Sequence, residues 1–403
     1  MDGGAHWIKF SGGLPAIAFR DIEIQAREAD LVGASFGRGI FVLDDYSLLR
    51  KIDGKILEQE AVLFPVKKTL SYIQRRPLNL DGKGFQGDDY YLAPNPPFGA
   101  VFSYFLKEPL RSGKAERREK EKHLEKQGKS IVFPGWDALR REDREEEPAI
   151  MITVCDVEGN VVRRLNGPID KGIQRVAWDL RYPDLEPTRL QEEKSRYPWD
   201  FPVRGPLVVP GTFSVSLAKR VDGVITPLGE TQSFVVEALT LSALAAPERK
   251  DILSYQKKAG ELQRAMYGAG EALSEALNRL QFIKKAIRDT PAADLGWADE
   301  ALAMEKQLQQ FKTELIWDRT LGSRSEPQLP PLLQRVEAQL GSTAAITSTR
   351  KHNYDLAAAA FAKLLEKMRQ VIDVDLRKLE IKMEAAGLPW TPGREVPRWE
   401  KNQ

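Results

Sequence analysis

The sequence is poor in the residues that most often carry chemistry. Its 403 residues include one cysteine and three histidines. The lone Cys155 excludes an internal disulfide framework and any cysteine-rich metal site. It follows the apolar run Met151-Ile152-Thr153-Val154, where burial raises a thiol's pKa, so a buried structural thiol is expected rather than a reactive one. His6, His123 and His352 fall in a turn, a charged run and a helix start, and no two of them stand at metal-ligand spacing. H-E-x-x-H, C-x-x-C and the full G-x-x-x-x-G-K-[ST] phosphate cradle are missing, so no metal and no cofactor is expected.

Long apolar runs are missing too. No stretch approaches the ~20 residues of a membrane helix, so no membrane insertion is expected. The N-terminus lacks a basic region followed by an apolar core, and as written the chain reads as cytoplasmic. An excess of one charge is also lacking. Sixty Lys and Arg against 58 Asp and Glu leave +2, so no global field draws in nucleic acid or an anionic membrane, and any charged site must be local. The length itself exceeds one ordinary core and sets an expectation of roughly two to three domains.

What is present begins with short antiparallel strands. In Phe19-Arg20-Asp21-Ile22-Glu23-Ile24 the apolar residues alternate, and Leu31-Val32 leads to a second pair of strands ending at Leu43-Asp44-Asp45. The opening Asp2-Gly3-Gly4-Ala5-His6-Trp7 reads as a turn. An Asp accepts backbone amides, Gly supplies a positive φ, and Trp packs beneath.

These residues match the D-x-G-x-x-W part of the Asp-box, with Asp2, Gly4 and Trp7 as its structural members. The Ser that begins that motif would fall before Met1. Leu31 to Val42, with Phe36-Gly37-Arg38-Gly39-Ile40, resembles the strand pair of such blades, and Leu43-Asp44-Asp45 stands where a next, degenerate Asp-box would begin. Residues 1–45 therefore resemble one blade of a sialidase-like or sortilin/VPS10-type β-propeller. One blade cannot close a ring, so the expectation is a C-terminal part of a longer protein, with assembly of a ring from several chains as the rival.

Residues 46–95 read as a linker packed on the blade, with a strand candidate at Glu60–Val66 and an acidic turn at Asp88-Asp89. From 96 to 238 strands recur every few residues: Pro96–Lys107, Ile150–Val154, Val161–Leu165, Ile173–Leu180, Gly211–Leu217 and Gln232–Val236. That spacing signals an antiparallel β-sandwich of immunoglobulin type. Asp156–Arg163, Gln174–Asp179 and Pro210–Val215 resemble phrases of the small sandwich domain related to the flagellar-hook capping protein. Trp178 is expected as the core tryptophan between two sheets rather than a sugar-stacking one.

Two insertions interrupt this pattern. The mixed-charge run 111–147 reads as a solvated helix or a disordered hairpin extension. Tyr182–Pro206 is rich in Pro and aromatics, and its Trp199 either contacts a partner or packs on the neighbouring blade.

At Leu239 the period becomes helical. Ile252 to Ile287 follow three-four spacing, Ala301 to Leu315 continue it, and Leu332–Leu340 and Tyr354–Ala385 add two more stretches. Residues 239–387 are expected as an antiparallel helical bundle, ended by Gly387, with 388–403 an extended tail whose Trp390 and Trp399 dock on the body. The fold class is thus multidomain, β then α.

The order of blade, sandwich and helices resembles the C-terminal end of bacterial BNR-repeat, sortilin-like propeller proteins. That resemblance implies a non-catalytic module for structural support and for binding a protein or glycan ligand, partnered by the missing blades. It also implies an exported parent. The alternative is a sialidase-type glycoside hydrolase, which needs an arginine cluster, a Tyr–Glu nucleophile and an Asp acid drawn from several blades. A further alternative is assembly into oligomers through the helices. Arg38 with Asp44 and Asp45 is the best local candidate for a contact, against a structural role in which Arg38 stacks or pairs near the turn.

Overall fold

Strands come first and helices last, the β-then-α order that the change of period announces. The computed structural model describes residues 14, 16–74, 93–190, 204–239, 246–316, 330–340 and 345–397. They form two units. The first holds the described residues up to 71, 93–179 and 211–237; the second holds 72–74, 180–190, 204–210 and those from 238 onward.

In the first unit β1 (Phe19–Gln25), β2 (Asp30–Ser35) and β3 (Ile40–Leu43) make a three-stranded antiparallel meander. A 3₁₀ turn (Tyr46–Arg50) and the short helix α1 (Gly54–Glu58) lead on to β4 (Ala61–Leu63) and β5 (Thr69–Ser71). The segment expected as a linker on the blade thus supplies two strands. β4 pairs with β6 (Ala100–Leu106), which pairs with β9 (Gly172–Trp178). β5 edges a second sheet in the order β5-β11-β10-β7-β8, built with β7 (Ala149–Cys155), β8 (Val161–Gly167), β10 (Gly211–Val221) and β11 (Val224–Ala238).

Alternation decides which side chains leave water. In β7 Ile150, Ile152 and Val154 are fully buried, and β10 sets Leu217 and Val215 opposite Ile152 and Val154. From the smaller sheet Trp178 and Phe102 meet the aromatic rings of the larger one. Trp178 lies 5.5 Å from Phe213, and Phe102 lies 5.6 Å from Phe234, both edge to face. Trp178 is therefore the core tryptophan expected. The other face of β6 is covered by Leu48 and Phe64, which pack on Phe105.

The same alternation corrects one expectation. Cys155 falls on the outward register of β7 and is only half-buried, so it is not the buried thiol that the apolar run suggests.

The charged run 111–147 forms two helices, α2 (Gly113–Lys126) and α3 (Trp136–Arg144), neither of which buries a residue. Their pairing is ionic. The Arg117 guanidinium forks onto Glu142 at 2.6 and 2.7 Å and also reaches Glu121, while Lys114 meets Asp143 at 3.2 Å. The hydrogen bonds from Arg117 hold the Glu142 carboxyl below the usual carboxylate range.

The second unit is helical. α4 (Ala246–Asp289), about 66 Å long at 1.5 Å per residue, packs against α5 (Gly296–Leu315), α6 (Leu332–Leu340) and α7 (Ser348–Arg369). α7 runs through a π-helical turn (Gln370–Leu376) into α8 (Arg377–Ala385). The expected stripe is the core: Ala259, Met266, Leu273, Leu280 and Ile283 of α4 are buried with Ala301, Leu308, Phe361, Leu364 and Met383.

Polar pairs give the directions. Lys284 of α4 meets Glu305 of α5 at 2.7 Å, and Ser274 lies 3.3 Å from Lys312, so α4 and α5 are antiparallel. The Tyr255 hydroxyl donates to the Arg350 carbonyl near the start of α7, and Arg279 meets Glu380 of α8 at 2.6 Å, so that arm runs parallel to α4. Two of these acids, Glu305 and Glu380, are buried, and each is matched by a cation, as burial of a carboxylate requires.

Gly387 takes the left-handed conformation that closes α8. The tail then turns back instead of extending: Arg394 is buried and donates to the Pro389 carbonyl at 2.9 Å. Trp390 is half-exposed and donates to the Glu395 carbonyl within the tail itself; Trp399 lies outside the described residues.

The insertion from Tyr182 contributes to the helical unit. Lys257 of α4 sits 4.1 Å over the Tyr182 ring, and Arg189 meets Glu271 at 3.4 Å, contacts with α4 where the sequence suggested the neighbouring blade.

Trp178→Ala empties the contact between the sheets and should lower the stability of the first unit by about 3–5 kcal/mol. Cys155→Ser, on the outward register, should stay within ~0.5 kcal/mol of wild type. Urea unfolding followed by near-UV circular dichroism checks both.

Candidate functional site

The corner after β3 is where sequence placed its candidate contact. Asp45 stands in the left-handed region at φ 48°, which an Asp tolerates because its short side chain bonds the local backbone. Its Oδ1 accepts from the Ser47 amide at 3.2 Å and caps the 3₁₀ turn, while its own amide donates to Asp30 Oδ1 at 2.9 Å.

Two cations from elsewhere in the unit converge here. Lys67 lies 3.3 Å from the Asp45 carboxylate and also donates to the Glu28 carbonyl. Arg175 of β9 donates to the Asp44 carbonyl at 3.1 Å and the Asp45 carbonyl at 3.0 Å. The corner is therefore a junction that ties the meander to β9 and to the approach of β5. The Asp45 carboxylate is directed to protein groups, and Asp44 takes part through its backbone carbonyl.

Arg38 is not part of this junction. It sits in the turn between β2 and β3, exposed, at the opposite end of β3 from the acids. Six residues of extended chain put it about 20 Å away. Its side chain makes no ion pair with a described residue. The stacking expected of it is made by Arg20, whose guanidinium lies 4.6 Å over the Phe36 ring. Trp199, and Asp2, Gly4 and Trp7 of the opening turn, lie outside the described residues. Among the described residues no group of three His, Cys, Asp or Glu could hold a metal, and no helix is long and apolar enough to cross a membrane.

The helical unit also holds a polar cluster, at Tyr267, that sequence reading missed. Tyr267 donates to Glu337 Oε1 of α6 at 2.7 Å and accepts from Gln263 at 3.1 Å. Gln263 is buried on the α4 stripe. The signal was a polar residue recurring at heptad spacing, Gln256 then Gln263, inside an apolar stripe. Burial, and then the Glu337 acceptor, push the Tyr267 phenol well above its ordinary 10.0. A neutral phenol locked to a carboxylate is a brace between α4 and α6 and supplies neither a nucleophile nor a base at neutral pH.

The comparisons with known proteins add little. No family model matches the chain, and no curated protein matches it. Among solved structures the chain is similar to pT26-6p at 10% identity, over 71% of this chain and 44% of that one, with a TM-score of 0.14. The chain thus spans less than half the length of that structure.

Asp45→Ala removes the cap and the Lys67 pair and should destabilise the first unit by ~1–2 kcal/mol, against less than ~0.5 kcal/mol for Arg38→Ala; thermal melts compare the two. The Tyr267 brace is complete below the phenol's ordinary 10.0 and is lost as pH rises past it toward the elevated folded value. Helical unfolding should therefore grow easier above pH ~10 in wild type and change less steeply in Tyr267→Phe, as followed by circular dichroism at 222 nm.

Proposed function

We propose that the chain is a non-catalytic support and binding module of a BNR-repeat, sortilin-like propeller protein. In this reading the β1–β3 meander belongs to one blade, the two facing sheets are an Ig-like sandwich and the helices are a supporting bundle. The observation that carries it is the meander's unusual exposure.

The register places Ile22, Gly33 and Phe41 on one face, with Ile24, Leu31 and Leu43 beside them. The Phe19 ring lies over Gly33, where only the missing side chain leaves room. Ile22 and Ile24 on this face are 60% and 49% exposed. On the opposite face Ile40 and Val42 are 69% and 54% exposed. The first face is apolar throughout, and the second sets Ile40 and Val42 beside Asp21 and Glu23 of β1. A sheet that leaves apolar residues uncovered on both sides suits a place between two others, as each blade of a ring lies between its neighbours. The partners that suit it are further blades or a protein or glycan ligand bound by them.

Two things favour support over hydrolysis. Arg38 is far from Asp44 and Asp45, and the Asp45 carboxylate is engaged in capping the turn and in the Lys67 pair. Among the described residues of the helical unit, the Tyr267–Glu337 hydrogen bond is a half-buried brace. The assembly reading has less to rest on, because the α4 stripe is consumed by the chain's own helices.

The purified 403-residue chain should not turn over sialyl or general glycoside substrates. Turnover that Arg38→Ala or Asp45→Ala abolishes, with the fold intact, would overturn this reading in favour of a glycoside hydrolase.

A further inference from the structure

A second uncovered apolar surface lies at the end of the α2–α3 arm. α2 stops at Gly128, left-handed at φ 67°, where the Lys129 amide reaches back to the Leu124 carbonyl at 3.0 Å. α3 starts after Gly135, at φ 88°. Between these two glycines the loop carries Ile131, Val132 and Phe133, exposed by 48%, 82% and 57%, and Trp136 follows at 70%. Phe133 and Trp136 pack edge to face at 5.2 Å, so the tip is one aromatic knob and not a loose strand of chain.

The arm is also polarised in charge. From 122 to 141 there are five cations, Lys122, Lys126, Lys129, Arg140 and Arg141, against Glu125 and Asp137. Asp137 is already paired with Arg140 at 2.9 Å. The return to β7 is the reverse: Glu142, Asp143, Glu145, Glu146 and Glu147 surround a single Arg144. The acids gather at the root of the arm and the free lysines at its apolar end. The near-zero charge of the whole chain hides this separation.

We propose that this tip docks on an anionic lipid surface, with Val132, Phe133 and Trp136 entering the interface and Lys126 and Lys129 meeting the headgroups. The shape favours lipid over a protein partner. The apolar side chains stand on a convex knob, which a fluid interface accommodates without a matching pocket, and aromatic residues flanked by lysine suit the boundary of headgroup and acyl chain. The role is separate from the proposed support function and does not rest on it.

Vesicle flotation of the 403-residue chain tests the idea. Phosphatidylcholine vesicles containing about 30% phosphatidylserine should carry the wild type, and less so as salt is raised. Phosphatidylcholine alone should carry it more weakly. The double variant Phe133→Ser, Trp136→Ser should lower partitioning at least about tenfold. Lys126→Glu with Lys129→Glu should bring binding to mixed vesicles down to the level of phosphatidylcholine alone. All four positions are exposed, so both variants should keep the wild-type circular dichroism and melt. Failure of the wild type to float with mixed vesicles overturns the proposal, as does a tip variant that floats like wild type. Absence of vesicle binding together with crosslinking through position 136 to a protein would replace lipid by a protein partner.

Discussion

Trp178 meets Phe213 and Phe234 across the gap between two sheets, and the strand-rich unit depends on that contact. The largest fully buried side chain among the described residues holds β9 against β10 and β11. β9 in turn carries Arg175, three residues before the tryptophan, whose guanidinium reaches the carbonyls of Asp44 and Asp45. The same strand thus fastens the core and the meander. Charge at the corner acts on backbone groups already shaped by Asp45 in its left-handed turn.

The helical unit solves its burial problem differently. A 44-residue helix cannot cover its own stripe, and α5, α6 and α7 close over it. Apolar contact alone would tolerate sliding along so regular a stripe. The pairs Lys284–Glu305 and Arg279–Glu380, with the Tyr267–Glu337 brace, supply fixed points, since a buried acid left without its cation costs far more than a shifted leucine.

Among the described residues, the β1–β3 meander and the knob at the end of the α2–α3 arm leave apolar side chains exposed. They differ in kind. The meander exposes apolar residues on both sides, which suits stacking between other sheets. The knob is convex, aromatic and flanked by Lys126 and Lys129, which suits a soft anionic interface. Both readings give the chain a role in holding and placing, and neither calls on a reacting group.

Local periodicity made most elements legible. The two-residue alternation marked β6 to β11, and the three-four spacing marked α4 to α8, with Leu332–Leu340 coinciding end to end with α6. Trp178 was legible as core because an aromatic residue at the end of an alternating strand has few other places to go. What only the tertiary structure decided was long-range. β5 joins β11 across more than 150 residues, β4 joins β6, and the segment from Tyr182 lies on α4. Arg20 takes the stacking role assigned to Arg38, Arg175 secures the Asp44–Asp45 corner, and Cys155 faces outward. The physical reason is the range of the forces involved. Strand and helix periods are written in neighbouring residues, whereas edge pairing, the partner of an ion and the covered side of a sheet depend on which distant segments meet.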